Sequence, residues 1–210
     1  MFDQVLWFTA RGAGAVSLMM LTASVVFGLV TVTRFAHPEW PRFFNYEMHR
    51  RISLLSIVFL AIHILSAVFD PFAHLGLIAA IVPLASTYRP LEVAIGVVAF
   101  YLFVALIVTS LLRKHIGQRT WRLVHWTSYA MWPLALLHGI TAGTDGITTW
   151  MLAIDAVCVV AVVAALAWRI QAGTPNRAIL PEVVASTSWR PNGGTPAAPA
   201  APNGTRGDGR

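Results

Sequence analysis

The chain is 210 residues long, 57% hydrophobic and only 11% charged, with a mean hydropathy of +0.66; it lacks the polar side chains needed to cover a water-exposed globule, which excludes a soluble enzyme. Its formal charge of +6, from 15 Lys and Arg against 9 Asp and Glu, reads as membrane topology and disfavours nucleic acid as a partner. A single cysteine, Cys158, excludes an internal disulfide, a cysteine-only metal cluster and a thioether-linked haem, so any metal site leans on histidine.

Residues 1–10 lack the basic segment of a cleavable signal peptide, so the first apolar run is expected to stay in the mature protein. Five runs are long and apolar enough to cross about 30 Å of hydrocarbon: residues 13–33, 52–69, 91–112, 121–140 and 150–168. The fourth is the most polar, since it carries Arg122, His125, Ser128 and His138. Residues 71–84 are apolar but too short to span, with prolines near both ends, and read as an interfacial helix. From 173 onward Pro, Gly, Ala, Thr and Asn dominate, a composition that buries too little apolar surface to fold. The expected fold is an all-α membrane bundle of about five transmembrane helices plus one short interfacial helix. Residues 1–172 would form the membrane domain and residues 173–210 a disordered tail.

Positive charge fixes the expected orientation. Arg34, Arg42, Arg50 and Arg51 lie between the first two runs, Arg113, Lys114, Arg119 and Arg122 between the third and fourth, and Arg169 and Arg177 after the fifth. The opposite side carries only Arg11 and Arg89, and residues 141–149 contain no Lys or Arg. The expected location is therefore the plasma membrane, multi-pass, with the amino terminus outside and the tail cytoplasmic. Trp40, Phe43, Phe44, Trp121, Trp150 and Trp168 near the run ends suit interfacial aromatic belts.

Chemistry concentrates in the histidines. His49 and His63 bracket the second run with thirteen residues between them, and His125 and His138 lie in the fourth with twelve between. At a rise of about 1.5 Å per residue, each pair spans about 20 Å of depth. Because the two runs are parallel, His49 should meet His125 near the cytoplasm and His63 should meet His138 near the outside. Two levels of two imidazoles match the axial ligation of two b-type haems, whose flat macrocycles fit between bundle helices without a covalent anchor. Fourteen steps from His49 to His63 leave about 40° of rotation on an ideal helix, but thirteen from His125 to His138 leave about 140°. Pro133 lies between the latter two, and a distortion near Trp132 is expected.

The spacing His-x13-His on one helix and His-x12-His on the next but one resembles the transmembrane haem domain shared by ferric reductases and NADPH oxidases. Three fragments add to the resemblance: Thr9-Ala10-Arg11-Gly12-Ala13-Gly14 opening the first run, His49-Arg50-Arg51 opening the second, and Trp121-Arg122-Leu123-Val124-His125 opening the fourth. It covers roughly residues 9–169. The resemblance implies that His49 and His125 ligate the iron of an inner haem b, that His63 and His138 ligate that of an outer one, and that Arg11 approaches a haem propionate. It also implies transmembrane electron transfer from a cytoplasmic donor to an acceptor outside, such as chelated ferric iron, dioxygen or the cofactor of another reductase. Nothing in the chain resembles the flavin and NAD(P)H-binding domain of the oxidases, so the expected donor is a separate flavoprotein or ferredoxin-like protein, or a quinol.

A quinone-linked cytochrome b subunit is an alternative reading, and a haem-free structural or transport membrane protein a second. Arg11 reads equally well as an interfacial cation that snorkels to water. His37, His74 and His115 read as solvated residues of loops or interfacial segments, Asp155 as a functional intramembrane acid or, with its closeness to the outer interface favouring this, a solvated one, and Cys158 as a small buried filler.

Overall fold

A computed structural model describes residues 2–32, 42–71 and 75–172. His37, His74, Arg34, Trp40 and the expected disordered tail lie outside the described residues. The described residues form helices and no strand. In chain order these are α1 (Phe2–Val32), α2 (Arg42–Phe69), α3 (Gly76–Ile81), α4 (Pro90–Leu111), α5 (Arg113–Ile116), α6 (Gln118–Trp126), α7 (Ser128–Ala142) and α8 (Thr149–Ala172).

Among the described residues four stretches, Gln4–Thr31, Phe44–Phe69, Pro90–Leu111 and Thr149–Gln171, are individually long and apolar enough to cross a membrane. Each leaves large apolar side chains exposed: Val5 and Phe8 on α1, Leu54, Val58, Ile62 and Leu65 on α2, Val104, Val108 and Leu111 on α4, and Val157, Val160 and Val163 on α8. Such surface suits hydrocarbon, where helices satisfy their backbone internally and water need not be met. The expected fourth run is divided between α6 and α7. The short segment after α2 folds as α3, six residues long, with Leu77, Ile78 and Ile81 exposed, in keeping with an interfacial element.

Two helix hairpins organise the bundle. The amino-terminal half of α1 meets the carboxyl-terminal half of α2, through His63 and the Ala10 carbonyl, so the two helices run antiparallel. α4 runs antiparallel to α6 and α7, joined by His138 to Glu92 at one end and Trp121 to Ser110 at the other. α8 packs parallel to α1, with Asp145, just before α8, on Arg11 and Cys158 on Thr22. This topology gathers the described basic residues of α2, α5, α6 and α8 at one end, and Arg11 and Arg89 at the other. A core of Leu18, Leu21, Phe103, Leu106, Met131, Trp132 and Val162 fills the middle, and the Trp132 indole N–H donates to Thr22 Oγ1 at 2.9 Å.

Three expectations are corrected. The first helix begins at Phe2, well before residue 13. Phe2 to Ala10 are largely apolar, and Arg11 is a good helix former whose charge pairs with Asp145. The fourth run is interrupted at Thr127, five residues before Trp132. α7 passes unbroken through Pro133, while Thr127 joins α6 to α7 through i to i+3 bonds, its N–H donating to Val124 O at 2.9 Å and its carbonyl accepting from Ala130 at 3.0 Å. His125 and His138 thus lie on two separate helices, so the phase of one ideal helix does not apply to the pair. Asp155, finally, is 4% exposed and is not solvated.

Candidate redox site

The structure brings the four histidines together as two facing pairs, at the two levels their spacing predicts. Ring centroids of His49 and His125 lie 6.2 Å apart, and those of His63 and His138 also 6.2 Å. A metal between two imidazoles sits about 2.0–2.1 Å from each nitrogen, with each ring centre about 1.1 Å further back, so two ligating rings should be roughly 6.3 Å apart. Both pairs have the span of a bis-imidazole metal site. The outer pair also borders open space on two sides, one lined by Ile64, Ala67 and Phe100 and the other by Arg11, Ala15 and Ala142. A flat ligand set across the axis of the pair needs room of this kind.

Three of the four rings are fixed by one repeated device. His63 Nδ1 donates to the Ala10 carbonyl, His49 Nδ1 to the Ser24 carbonyl and His138 Nδ1 to the Glu92 carbonyl, each at 2.8 Å. A carbonyl only accepts, so each Nδ1 carries the proton and each Nε2 presents a lone pair, the tautomer a metal requires. In each case the residue four positions after the carbonyl is glycine: Gly14, Gly28 and Gly96. A helical carbonyl already accepts from the N–H four residues on, and a side chain there would cover its free lone pair. A Cβ added at Gly96 would fall 2.6 Å from His138 Nδ1 and Cε1, and one at Gly14 would fall 2.9 Å from His63 Nδ1. At Gly28 the nearest approach is an ordinary 3.5 Å to His49 Cε1. Ser24 adds a second polar contact to His49 Nδ1 at 3.3 Å and a 2.7 Å bond to Ser53.

His125 is held differently. Gly28 lies fourteen residues after Gly14 on α1, and the residue fourteen after Gly96 on α4 is Ser110. Ser110 Oγ accepts a hydrogen bond from the Trp121 indole N–H at 3.3 Å. Trp121, one helical turn before His125, stacks on its ring at 4.8 Å with planes 24° apart, and the Arg113 guanidinium covers the other face of the indole at 4.3 Å from its centroid. His125 Nδ1 is buried and has no hydrogen-bond partner among the described residues. Stacking therefore sets this ring's plane where hydrogen bonding sets the other three.

Arg11 lines the smaller outer space beside His63 and His138, pairs with Asp145 and lies over Gly143, while its Nε is buried without a hydrogen bond. It therefore faces the site instead of reaching outward to water. Arg89, at φ 41°, occupies the left-handed region before Pro90, and its guanidinium donates to the carbonyls of Thr141 and Gly143. His115 is exposed on α5 and joins neither pair.

Sequence reasoning singled out the four histidines and Arg11, which the structure places at this candidate site, but not Gly96, the Ser110–Trp121 contact or Asp145. The glycines were visible as breaks in otherwise bulky apolar runs, and the fourteen-residue repeat was visible in the numbering alone. Among the described residues no cluster of three or more His, Cys, Asp or Glu is placed to hold a bare metal ion; each site offers two imidazoles, which suits a metal that brings its own equatorial ligands.

A family model for the ferric reductase like transmembrane component matches residues 12–141, well over half of the chain. No curated protein and no solved structure matches it.

Proposed function

Starting from the chain's membership of the ferric reductase-like transmembrane component family, we propose that it conducts single electrons across the membrane through two non-covalent b-type haems. The observation that carries this reading is the pair of facing imidazole couples, each at a 6.2 Å centroid separation, with three of the four rings locked in the ligating tautomer. His49 and His125 would hold the inner haem, and His63 and His138 the outer one. A bound haem supplies a one-electron iron couple, whose potential the axial ligands and burial adjust.

The chain's own residues orient and isolate. Backbone carbonyls of Ala10, Ser24 and Glu92 draw on the Nδ1 protons and make the three imidazoles more basic ligands. Arg11 offers a buried guanidinium to an acidic edge group of the outer cofactor. The core around Leu21, Phe103 and Trp132 separates the two levels with apolar side chains, so electrons pass and water does not. Arg50, Arg51, Arg113 and Arg122 surround the inner end, which suits a cytoplasmic end facing an acidic redox partner. By the same rule the Arg11 end is outside, and the acceptor is met there.

Proteoliposomes test the function directly. With ferricyanide trapped inside and dithionite outside, the trapped ferricyanide should bleach only in vesicles that carry haem-loaded protein, and His63→Ala should slow the bleaching at least tenfold. Ferricyanide that stays oxidised with both haems in place would contradict electron transfer across the bilayer.

A further inference from the structure

Asp155 is the one buried acid of α8, and the redox reading leaves it unused. It is 4% exposed, and neither carboxylate oxygen has a hydrogen-bond partner among the described residues. Arg11 meets Asp145 and Thr22 meets Cys158, so the parallel helices α1 and α8 keep a nearly constant register, and Asp155 falls between the levels of Ser17 and Thr22. Ser17 is 3% exposed and its hydroxyl is also without a partner. Ser17 and Met151, the latter one helical turn before Asp155, line the space beside His63 and His138.

An ionised carboxylate in this seam needs a positive charge nearby, because burial without one costs several kcal/mol. On α1 the charged group is Arg11, already paired with Asp145. On α7 the titratable group on the outer side of this level is His138, whose Nδ1 proton is committed to Glu92, and on α8 it is Cys158. The iron-porphyrin core of a ferric haem held by His63 and His138 would carry one positive charge that reduction removes, and a charge of that kind shifts the titration of acids around it.

We propose that Asp155 is a proton-binding site coupled to the outer redox centre: its carboxylate binds one proton from the outer aqueous phase as that centre gains one electron, and gives it back when the electron leaves. The proposal rests on the haem reading of His63 and His138. Charge balances at every stage, since each electron arriving from the inner haem is matched by one proton on one Asp155 oxygen. Ser17 Oγ is a second buried polar atom without a partner on the α1 side. α8 begins at Thr149, so the carboxyl lies six residues, about 9 Å, below its outer end, within reach of water on the side where reduction of the acceptor takes place.

The test is a redox titration of the haem-loaded full chain at several pH values. In the wild type the outer midpoint should fall as pH rises, approaching a tenfold change in the reduction equilibrium per pH unit, or 59 mV for a one-electron couple. Asp155→Asn should remove at least half of that slope and leave the inner midpoint and haem content unchanged, and Asp155→Glu should keep the slope. A wild-type slope in Asp155→Asn overturns the proton site and leaves the haem reading standing, whereas a chain that binds no haem overturns both. A second readout needs no variant. Dicyclohexylcarbodiimide attacks protonated carboxyls in apolar surroundings, so its adduct on Asp155, followed by mass spectrometry, should form several-fold faster in reduced than in oxidised protein; equal rates overturn the coupling.

Discussion

Alanine at His63 or at His138 is expected to halve the haem content, from about two per chain to about one, and to remove the same component from the redox titration in both cases. His49→Ala and His125→Ala should remove the other component. The reason is geometric: each pair spans one bis-imidazole site, so losing either ring opens that site, while the second site lies about 20 Å away along the helices and keeps its own carbonyl or stacking support. Double substitution within a level, His63→Ala with His138→Ala, should cost no more than either alone. Substitution across levels, His49→Ala with His138→Ala, should leave the protein without haem. If His63→Ala and His138→Ala removed different components, the pairing would be wrong.

Gly96→Ala should have an effect nearly as large, without touching a ligand. The added methyl would lie 2.6 Å from a ring anchored to the Glu92 carbonyl at its Nδ1. Neither neighbour yields easily, because the carbonyl belongs to the same helix as Gly96 and the ring is packed between α4 and α7. The ring must leave its carbonyl, or the helices must separate, at about 1–3 kcal/mol by the usual cost of overpacking. Either outcome misplaces His138 Nε2. We expect loss of most of the outer haem with the inner haem retained, and a lower thermal midpoint. Gly12→Ala is the control: its Cβ would meet nothing within 4 Å, and alanine is the better helix former. A Gly96→Ala protein with full outer haem would show that the close contact does not constrain the ring.

Much of this site was legible because its determinants are periodic. Helical rise turns His-x13-His and His-x12-His into two depths, and apolar run length and the placement of arginine turn those depths into two ends of a bundle. What was not legible depends on azimuth. Pro133 drew attention as the residue able to bend the fourth run, yet the chain turns at Thr127, where i to i+3 bonds replace the helical pattern. Nothing in composition distinguishes Thr127 from the threonines elsewhere. Asp155 lies close enough to the end of its run to suggest solvation, and only the packing of α8 on α1 shows that it faces the seam. Gly96 sits in an apolar helix where glycine has no local purpose, and its role appears once α7 delivers a histidine to it. Local chemistry singled out the four histidines, and tertiary packing supplied the contacts that hold them.

The haem stoichiometry of the wild-type chain, measured by the pyridine haemochrome method on protein expressed with excess haem precursor, bears most directly on the two-level site. Two facing imidazole pairs and no cysteine placed for a thioether bond should give about two haems per chain, both extracted by acidified acetone. A value well below one in haem-saturated protein, or haem that stays with the protein through extraction, would contradict it.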